Sequence, residues 1–419
     1  VRLAALDAVR VCALACGGLH TAALTVGGEV WTWGCNDDEV LGRADEESET
    51  HRVKGALEGK RVTAISAGDS HMAALTDDGA IYTWGTYKDS NGYIGYDATQ
   101  QKAKEPTRVP NLPNMGLVAC GADHTIGVSS DGYDVFTWGC GEKGQLGRGV
   151  SWDSNAEKEA RKKHLIPTQG FDLRAHDGTG LDARDRLKLA LNENLLSVVR
   201  AKLAADPAFD ATEACQLYLG HRAKLDQADA QLESRLKVRG VYGGAYHSFV
   251  LTQRGNVFSF GLNNMGQLGL GSLEPVHTAT PTLVEALEDK GVVQLVGGEH
   301  HSLALTDDGA VYAFGRGDSH QLGFADGTEQ STTPRLISAL DGVRVRKLAS
   351  GSNQNVAVTR TGDLYAWGFG EMGQLCNGKS ADEAAPALVE STALSGMAVL
   401  AAASGAQHSV LLATERADE

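Results

Sequence analysis

A repeat constrains this chain more than any other feature. A glycine three residues ahead of a fixed position recurs at Gly17/His20, Gly68/His71, Gly121/His124, Gly244/His247, Gly298/His301, Gly351/Gln354 and Gly405/His408. The intervals between the fixed positions are 51, 53, 123, 54, 53 and 54 residues, and a period near 50 points to a solenoid or a propeller. An aromatic-Gly pair follows in six copies, its glycine fourteen or fifteen residues on: Trp33-Gly34, Trp84-Gly85, Trp138-Gly139, Phe260-Gly261, Phe314-Gly315 and Trp367-Gly368. Between the two marks lies a hairpin pattern, as in Leu75–Tyr82, where β-formers flank an Asp-Gly turn that supplies the positive φ a tight hairpin needs. A third mark comes next: Gly144-Gln145-Leu146-Gly147 and Gly266-Gln267-Leu268-Gly269, with degenerate copies at Glu39–Gly42, Gly92–Gly95, His320–Gly323 and Gly373–Cys376. Each repeat thus reads as about four short strands, and the expected fold is an all-β, seven-bladed β-propeller.

Two irregularities interrupt the pattern. Eleven residues follow His408, too few for a seventh aromatic-Gly strand, while Val1–Cys16 begins in mid-repeat. A segment ahead of Val1 is therefore expected to complete the seventh blade, since an unclosed ring leaves strand edges unpaired. The interval of 123 residues marks an insertion between repeats 3 and 4. Leu187, Leu191, Leu195, Val199 and Leu203 follow helical spacing, as do Leu217, His221, Leu225, Ala228, Leu232 and Leu236, with Asp206-Pro207 between the two runs. The expected organisation is propeller over residues 1–170, a helical-hairpin insertion over 171–238, and propeller again over 239–419; a solvated loop is the alternative for the insertion.

Composition agrees with repetition. Glycine is 51 of 419 residues and proline only 9, which excludes collagen and argues against a Pro/Gly-rich disordered chain. With 38 Lys+Arg against 53 Asp+Glu the net charge is −15, so the body of the protein repels polyanions and any nucleic-acid contact needs a local basic patch. Seven cysteines without a C-x-x-C pair read as reduced thiols of an intracellular protein, with neither zinc nor a disulfide framework. No run of about 18 apolar residues and no basic-then-apolar leader is present. Neither H-E-x-x-H, a P-loop nor a nucleophile elbow occurs, and Gly139–Gly147 is a blade turn, so no metal, cofactor or covalent chemistry is expected.

Residues common to every copy of a symmetric repeat serve the architecture, and functional candidates lie where the symmetry breaks. The six repeat histidines and the repeated tryptophans are therefore expected to be scaffold. The two residues before each histidine vary, and they line one mouth of the ring; Asp69, Asp123 and His300 are the polar exceptions. The second break is in repeat 2, where Gly85 to Gly92 spans seven residues against five in the other copies. Thr86–Asn91 thus carries two extra residues, and a longer hairpin there protrudes from the ring.

Ala67-Gly68-Asp69-Ser70-His71, Ala74–Gly79, Lys88–Gly95, Cys35–Asp38 and Leu41-Gly42-Arg43 resemble the regulator of chromosome condensation family, chromatin-bound guanine nucleotide exchange factors for the small GTPase Ran. The likeness covers nearly all of the chain except the insertion. It implies a nuclear, chromatin-associated protein of nucleocytoplasmic transport and mitosis, an exchange factor without covalent chemistry. It further implies that Tyr87, Lys88, Asp89, Ser90, Asn91, Gly92, Tyr93 and Ile94 form a β-wedge pressed into the GTPase, with Lys88 where the family usually has arginine. Asp69, Asp123, Arg148, His300 and His408 fall on positions the family sets against the GTPase, which for His408 conflicts with a scaffold role. The loop Ser151–His164 corresponds to a chromatin-docking loop, and Arg161, Lys162 and Lys163 suit the acidic patch of the nucleosome through salt-dependent contacts. The family's basic N-terminal tail has no counterpart in this sequence, so direct DNA binding is expected to be weak, and Gly266 stands where animal members have histidine. Propellers of ubiquitin-ligase or trafficking scaffolds share the repeat and supply the rival reading. The plant ultraviolet photoreceptor requires tryptophan beside the repeat histidine, where this chain has Leu19, Ser70, Asp123, Tyr246, His300 or Gln407.

Overall fold

The computed structural model describes residues 2–43, 49–87, 100, 102–147, 168–172 and 237–416, with 168–172 as backbone alone. Successive repeats fold into antiparallel sheets whose strands pair in chain order: six sheets of four strands and a last one of two, Met397–Ser404 with Ser409–Glu415. The first strands neighbour one another round a closed cycle, and Met397–Ser404 packs against both Val345–Ser350 and Val11–Cys16. The fold is an all-β propeller. It has six four-stranded blades among the described residues, not the expected seven, because the sequence after His408 supplies no aromatic-Gly strand to extend the last sheet.

The second strand of each four-stranded blade, such as His71–Thr76 or His247–Thr252, is buried at all six residues. Both of its faces meet neighbouring blades, which is why these strands read as continuous runs of small and apolar residues. Trp84, Trp138, Phe260, Phe314 and Trp367 are at most 1% exposed and fill the spaces between sheets. Trp33, which faces the two-stranded sheet's side of the ring, is only half-buried.

Polar seams join the blades. His71 Nε2 shares a hydrogen bond with Thr125 Oγ1 of the next blade (3.0 Å), His124 with Ser248 Oγ (2.8 Å), His247 with Ser302 Oγ (2.9 Å), and His301 with Asn355 Oδ1 (2.8 Å). His408 Nε2 meets Thr21 Oγ1 at 3.0 Å and closes the cycle. The partner residue then reaches back: Ser248 Oγ donates to Gln145 O, Ser302 Oγ to Gln267 O, and Asn355 Nδ2 to Gln321 O. This accounts for the glutamine in the third mark. Its side-chain Oε1 accepts from a backbone N–H of its own turn, as from Lys143 and Met265, and its main-chain carbonyl serves the neighbouring blade. His20 breaks the rule: the residue after His71 is Met72, and His20 Nε2 is buried without a partner. The repeat glycines are required by close approach, since a methyl on Gly68 would lie 2.1 Å from His71 Cε1 and 2.5 Å from Gly121 O.

Two boundaries differ from expectation. The outer strand of the third blade runs Thr168–Asp172 and the fourth blade opens at Val238, so residues 171, 172 and 238 belong to the propeller and not to the insertion. The expected helical hairpin falls on 173–236, outside the described residues; among the described residues the helical elements are short 3-10 turns.

Burial holds His20, His71, His124 and His247 down to about 3 and His301 to about 4. The unfolded chain takes up protons on these rings below its ordinary histidine pKa of about 6.5, and the folded ring does not until far lower pH. Their contribution to stability is therefore complete above that pH and is lost as pH falls towards 3 to 4, by about 1.4 kcal/mol per histidine per pH unit. Urea midpoints should be flat from pH 8 to 7 and drop steeply between pH 6 and 4.5; a midpoint constant down to pH 4.5 contradicts buried neutral rings. Ser302→Ala, which strips His247 and Gln267 O of their partner, should cost about 1–3 kcal/mol in the same measurement.

Candidate functional site

The variable residues after each repeat glycine gather at one end of the ring axis, held by backbone bonds from blade to blade. Gly18 N donates to Asp69 O (3.1 Å), Asp69 N to Ala122 O (2.9 Å), Ala122 N to Ala245 O (3.3 Å), Ala245 N to Gly298 O (3.0 Å), and Glu299 N to Ser352 O (3.0 Å). These loops are fixed by main chain, so their side chains vary without disturbing the ring. They open on an axial cavity of about 260 Å³ walled by the seven repeat glycines together with small side chains, Cys16 and Cys120 among them. Burial pushes both thiols up to about 12, so neither is a nucleophile at neutral pH.

The mouth is acidic. Asp69 is exposed, Asp123 half-buried, and Glu299 has a side chain 40% exposed. They come from the second, third and fifth blades and converge electrostatically on Tyr246 of the fourth. Its phenol is raised above the ordinary tyrosine range first by burial and then by Glu299, Asp69 and Asp123. His300 lies 5.9 Å from the Tyr246 ring, with Nε2 3.8 Å from Glu299 Oε1. Burial lowers its pKa, and Arg316 adds to that while Glu299 opposes it. Asp69, Asp123 and His300 all lie on the loops at this end of the ring, around Tyr246. Tyr246 and Glu299 are the members the sequence reading passed over, although both occupy the same variable pair of positions as the residues it chose.

The other candidates are placed differently. His408 is half-buried and spends its Nε2 on Thr21, as the scaffold histidines do on their neighbours. Tyr87 is 2% exposed and cannot present its ring to a partner; it belongs to the core at the root of the longer segment, a correction to its expected place in the wedge. Its phenol accepts from Trp138 Nε1 (2.9 Å), shares a hydrogen bond with Thr125 Oγ1 (3.0 Å), and its ring packs 4.2 Å from that of His71. Lys88, Asp89, Ser90, Asn91, Gly92, Tyr93, Ile94, Arg148, Arg161, Lys162 and Lys163 lie outside the described residues. Among the described residues no three His, Cys, Asp or Glu side chains are grouped to hold a metal ion.

The repeats match two family descriptions: a regulator of chromosome condensation (RCC1) repeat over residues 27–75, 78–128 and 134–172, and an RCC1-like domain over 208–411. The chain is 33% identical to the Regulator of chromosome condensation of Homo sapiens, over 96% of this chain and 82% of that protein. It is 27% identical to the Guanine nucleotide exchange factor SRM1 of Saccharomyces cerevisiae, over 99% and 81%. In structure it is similar to Prp20p of Saccharomyces cerevisiae, with a TM-score of 0.76 and 26% identity over 97% of this chain and 83% of that one, a protein described with its binding properties to Gsp1p and histones.

If the three carboxylates meet at Tyr246, then Asp69→Asn, Asp123→Asn and Glu299→Gln together should bring its phenol down towards the ordinary value, leaving the part due to burial. The difference in ultraviolet phenolate absorbance between each protein and its Tyr246→Phe form measures this. An unchanged titration contradicts the convergence.

Proposed function

This chain belongs to the regulator of chromosome condensation family, and on that premise we propose that it is a guanine nucleotide exchange factor for a Ran-type small GTPase, acting in the nucleus at chromatin. The observation that carries the reading is the longer second-repeat segment, which follows Tyr87 in the same blade that contributes Asp69 to the acidic mouth. Residues Lys88–Ile94 act as the wedge. Asp69, Asp123 and His300, with Tyr246 and Glu299, form the docking rim, Arg148 extends it, and His408 stands at its edge as a seam residue.

The mechanism is linkage. A GTPase holds its nucleotide through the backbone N–H groups of its phosphate loop and a bound Mg²⁺. A partner that binds best when those contacts are broken weakens nucleotide affinity by the same factor by which the nucleotide weakens the partner. Release and rebinding both speed up, and direction comes from the relative supply of GTP and GDP. No bond to the nucleotide is made or broken, and the repeat histidines, neutral and committed to seams, are unsuited to proton transfer at pH 7. The acidic rim steers a basic partner surface towards the mouth.

Chromatin association is assigned to Arg161, Lys162 and Lys163 gripping the acidic patch of the nucleosome, with the −15 net charge disfavouring bare DNA. A scaffold propeller of a ubiquitin ligase or trafficking complex is less well supported, because the likeness to the human regulator runs along 82% of that protein.

Release of labelled GDP from a Ran-type GTPase tests the proposal. The protein should accelerate release, and replacing Lys88–Asn91 by a two-residue turn should return it to the intrinsic rate with the melting temperature unchanged. Asp69→Asn with Asp123→Asn should raise the half-saturating GTPase concentration about tenfold, equivalent to about 1.4 kcal/mol, and more weakly at high salt. Equal rates with and without the segment would remove the wedge.

A further inference from the structure

The glutamine of the third sequence mark serves two places at once, and in the fourth blade its amide governs a residue of the mouth. Gln267 is fully buried, its main-chain carbonyl accepts from Ser302 Oγ in the seam, and its side-chain Oε1 accepts from Met265 N at 2.9 Å. A backbone N–H only donates, so the oxygen end of the amide is fixed and the nitrogen end faces the other way. There Nε2 lies 3.0 Å from Asn264 Oδ1 and, in a longer contact, 3.5 Å from His300 Nδ1. Its two hydrogens thus have two acceptors, and His300 Nδ1 is one of them.

The fifth blade repeats the device. Gln321 Oε1 accepts from Ser319 N at 2.8 Å while Nε2 donates to Asn353 Oδ1 at 3.2 Å, and Asn353, like His300, is the residue just before the fixed position of the following blade. In the sixth blade Gln374 Oε1 accepts from Met372 N, but Nε2 is buried without a partner and the residue at the matching place, Gln407, is exposed. The amide is therefore a constant of these three blades, and what it does depends on the residue offered to it. Of histidine, asparagine and glutamine, only the imidazole can answer with a change of charge.

An imidazole that accepts at Nδ1 carries its proton on Nε2, and a cationic ring, with N–H on both nitrogens, would set N–H against N–H at this contact. Resting on the exchange-factor reading above, we propose that Gln267 is a positioning residue of the docking rim: its amide holds His300 as the neutral Nε2–H tautomer, so the ring enters the mouth as a hydrogen-bond donor and adds no positive charge to it. The main chain supports the same pose, since Arg316 N donates to His300 O at 2.9 Å and a methyl on Gly315 would lie 2.5 Å from that oxygen and 3.3 Å from Gln267 Cα. The charged groups facing His300 are Glu299 and Asp318, which favour the cation, and Arg316, which opposes it. The Tyr246 ring lies 5.9 Å away, and the buried His247 and His301 are in electrostatic contact with the imidazole. Two carboxylates outnumber one guanidinium, so burial and the amide together keep the ring neutral and preserve the negative rim that draws a basic partner.

Gln267→Glu exchanges the donor for a second acceptor and keeps the Oε1 that Met265 N uses. In long-range proton–nitrogen spectra of the free wild-type protein at neutral pH, with His300→Gln identifying the signal, Nδ1 of His300 should be bare and Nε2 protonated; a protonated Nδ1 overturns the proposal. In Gln267→Glu the Nδ1 should become protonated, and the titration midpoint of His300 should rise by about one pH unit or more, a tenfold change in proton affinity. Gln267→Met, which cannot donate, should shift it the same way by less, and Gln321→Glu, the same change one blade on, should leave it in place. An unmoved midpoint in both Gln267 variants, or an equal shift in Gln321→Glu, overturns the proposal. With labelled GDP on a Ran-type GTPase, the half-saturating GTPase concentration of Gln267→Glu relative to wild type should rise about fivefold from pH 8 to about 6.5, where the cation forms. That pH dependence should vanish when His300→Gln is added; a ratio flat with pH in Gln267→Glu overturns the part played in docking. The spectra need no GTPase, so a wild-type protein inert in the GDP assay overturns the exchange reading alone.

Discussion

From the third blade to the sixth, each blade of this ring is joined to the next by one small polar unit: an imidazole, a hydroxyl or amide on the following blade, and a turn carbonyl returned to the first. A β-propeller has no single core, since each sheet buries its faces only against its neighbours. Apolar packing between sheets is not selective in angle. The His–Ser–carbonyl unit is directional, so it sets the spacing and rotation of one blade relative to the next. It does so at the strand's inner end, where a side chain on the repeat glycine would collide with the histidine ring. The histidines are therefore neutral by construction, and a ring held this way tolerates neutral pH and salt far better than acid.

That division of labour frees the mouth. The loop backbone is tied blade to blade by N–H to C=O bonds that any residue can make, and the side chains on those loops are left to carry charge. Asp69, Asp123 and Glu299 come from three different repeats, yet all three act on Tyr246. A cluster of like charges costs stability, and the rigid main chain beneath it bears that cost. Electrostatic attraction of a partner and cohesion of the ring thus draw on separate groups.

Much of this was legible in the residues. Glycine and histidine at a period near 50, an aromatic-Gly pair and an Asp-Gly turn gave strand order and blade number to within the last sheet, because each mark answers a local steric or hydrogen-bonding demand. Position on the mouth was legible for Asp69, Asp123 and His300, since variation inside a fixed repeat marks side chains the scaffold does not use. Tyr246 and Glu299 were overlooked because convergence across blades is a property of the closed ring, invisible along the chain. Tyr87 was misplaced for a related reason. Its neighbours in sequence are polar and turn-forming, while its partners Thr125 and Trp138 are 38 and 51 residues away. The last sheet differs from a full blade because no aromatic-Gly mark follows His408, and it has two strands among the described residues.

Trp33 sets one junction of the ring apart. Five of the six repeated aromatics are sealed between blades, and Trp33, at the junction of the two-stranded sheet with the first blade, is partly open. Across that junction Val11–Cys16 packs against both strands of the last sheet, and His408 meets Thr21. The acidic arc spans the second to fifth blades, each of which carries one of the sealed aromatics, so the charged surface stands on fully buried contacts between sheets.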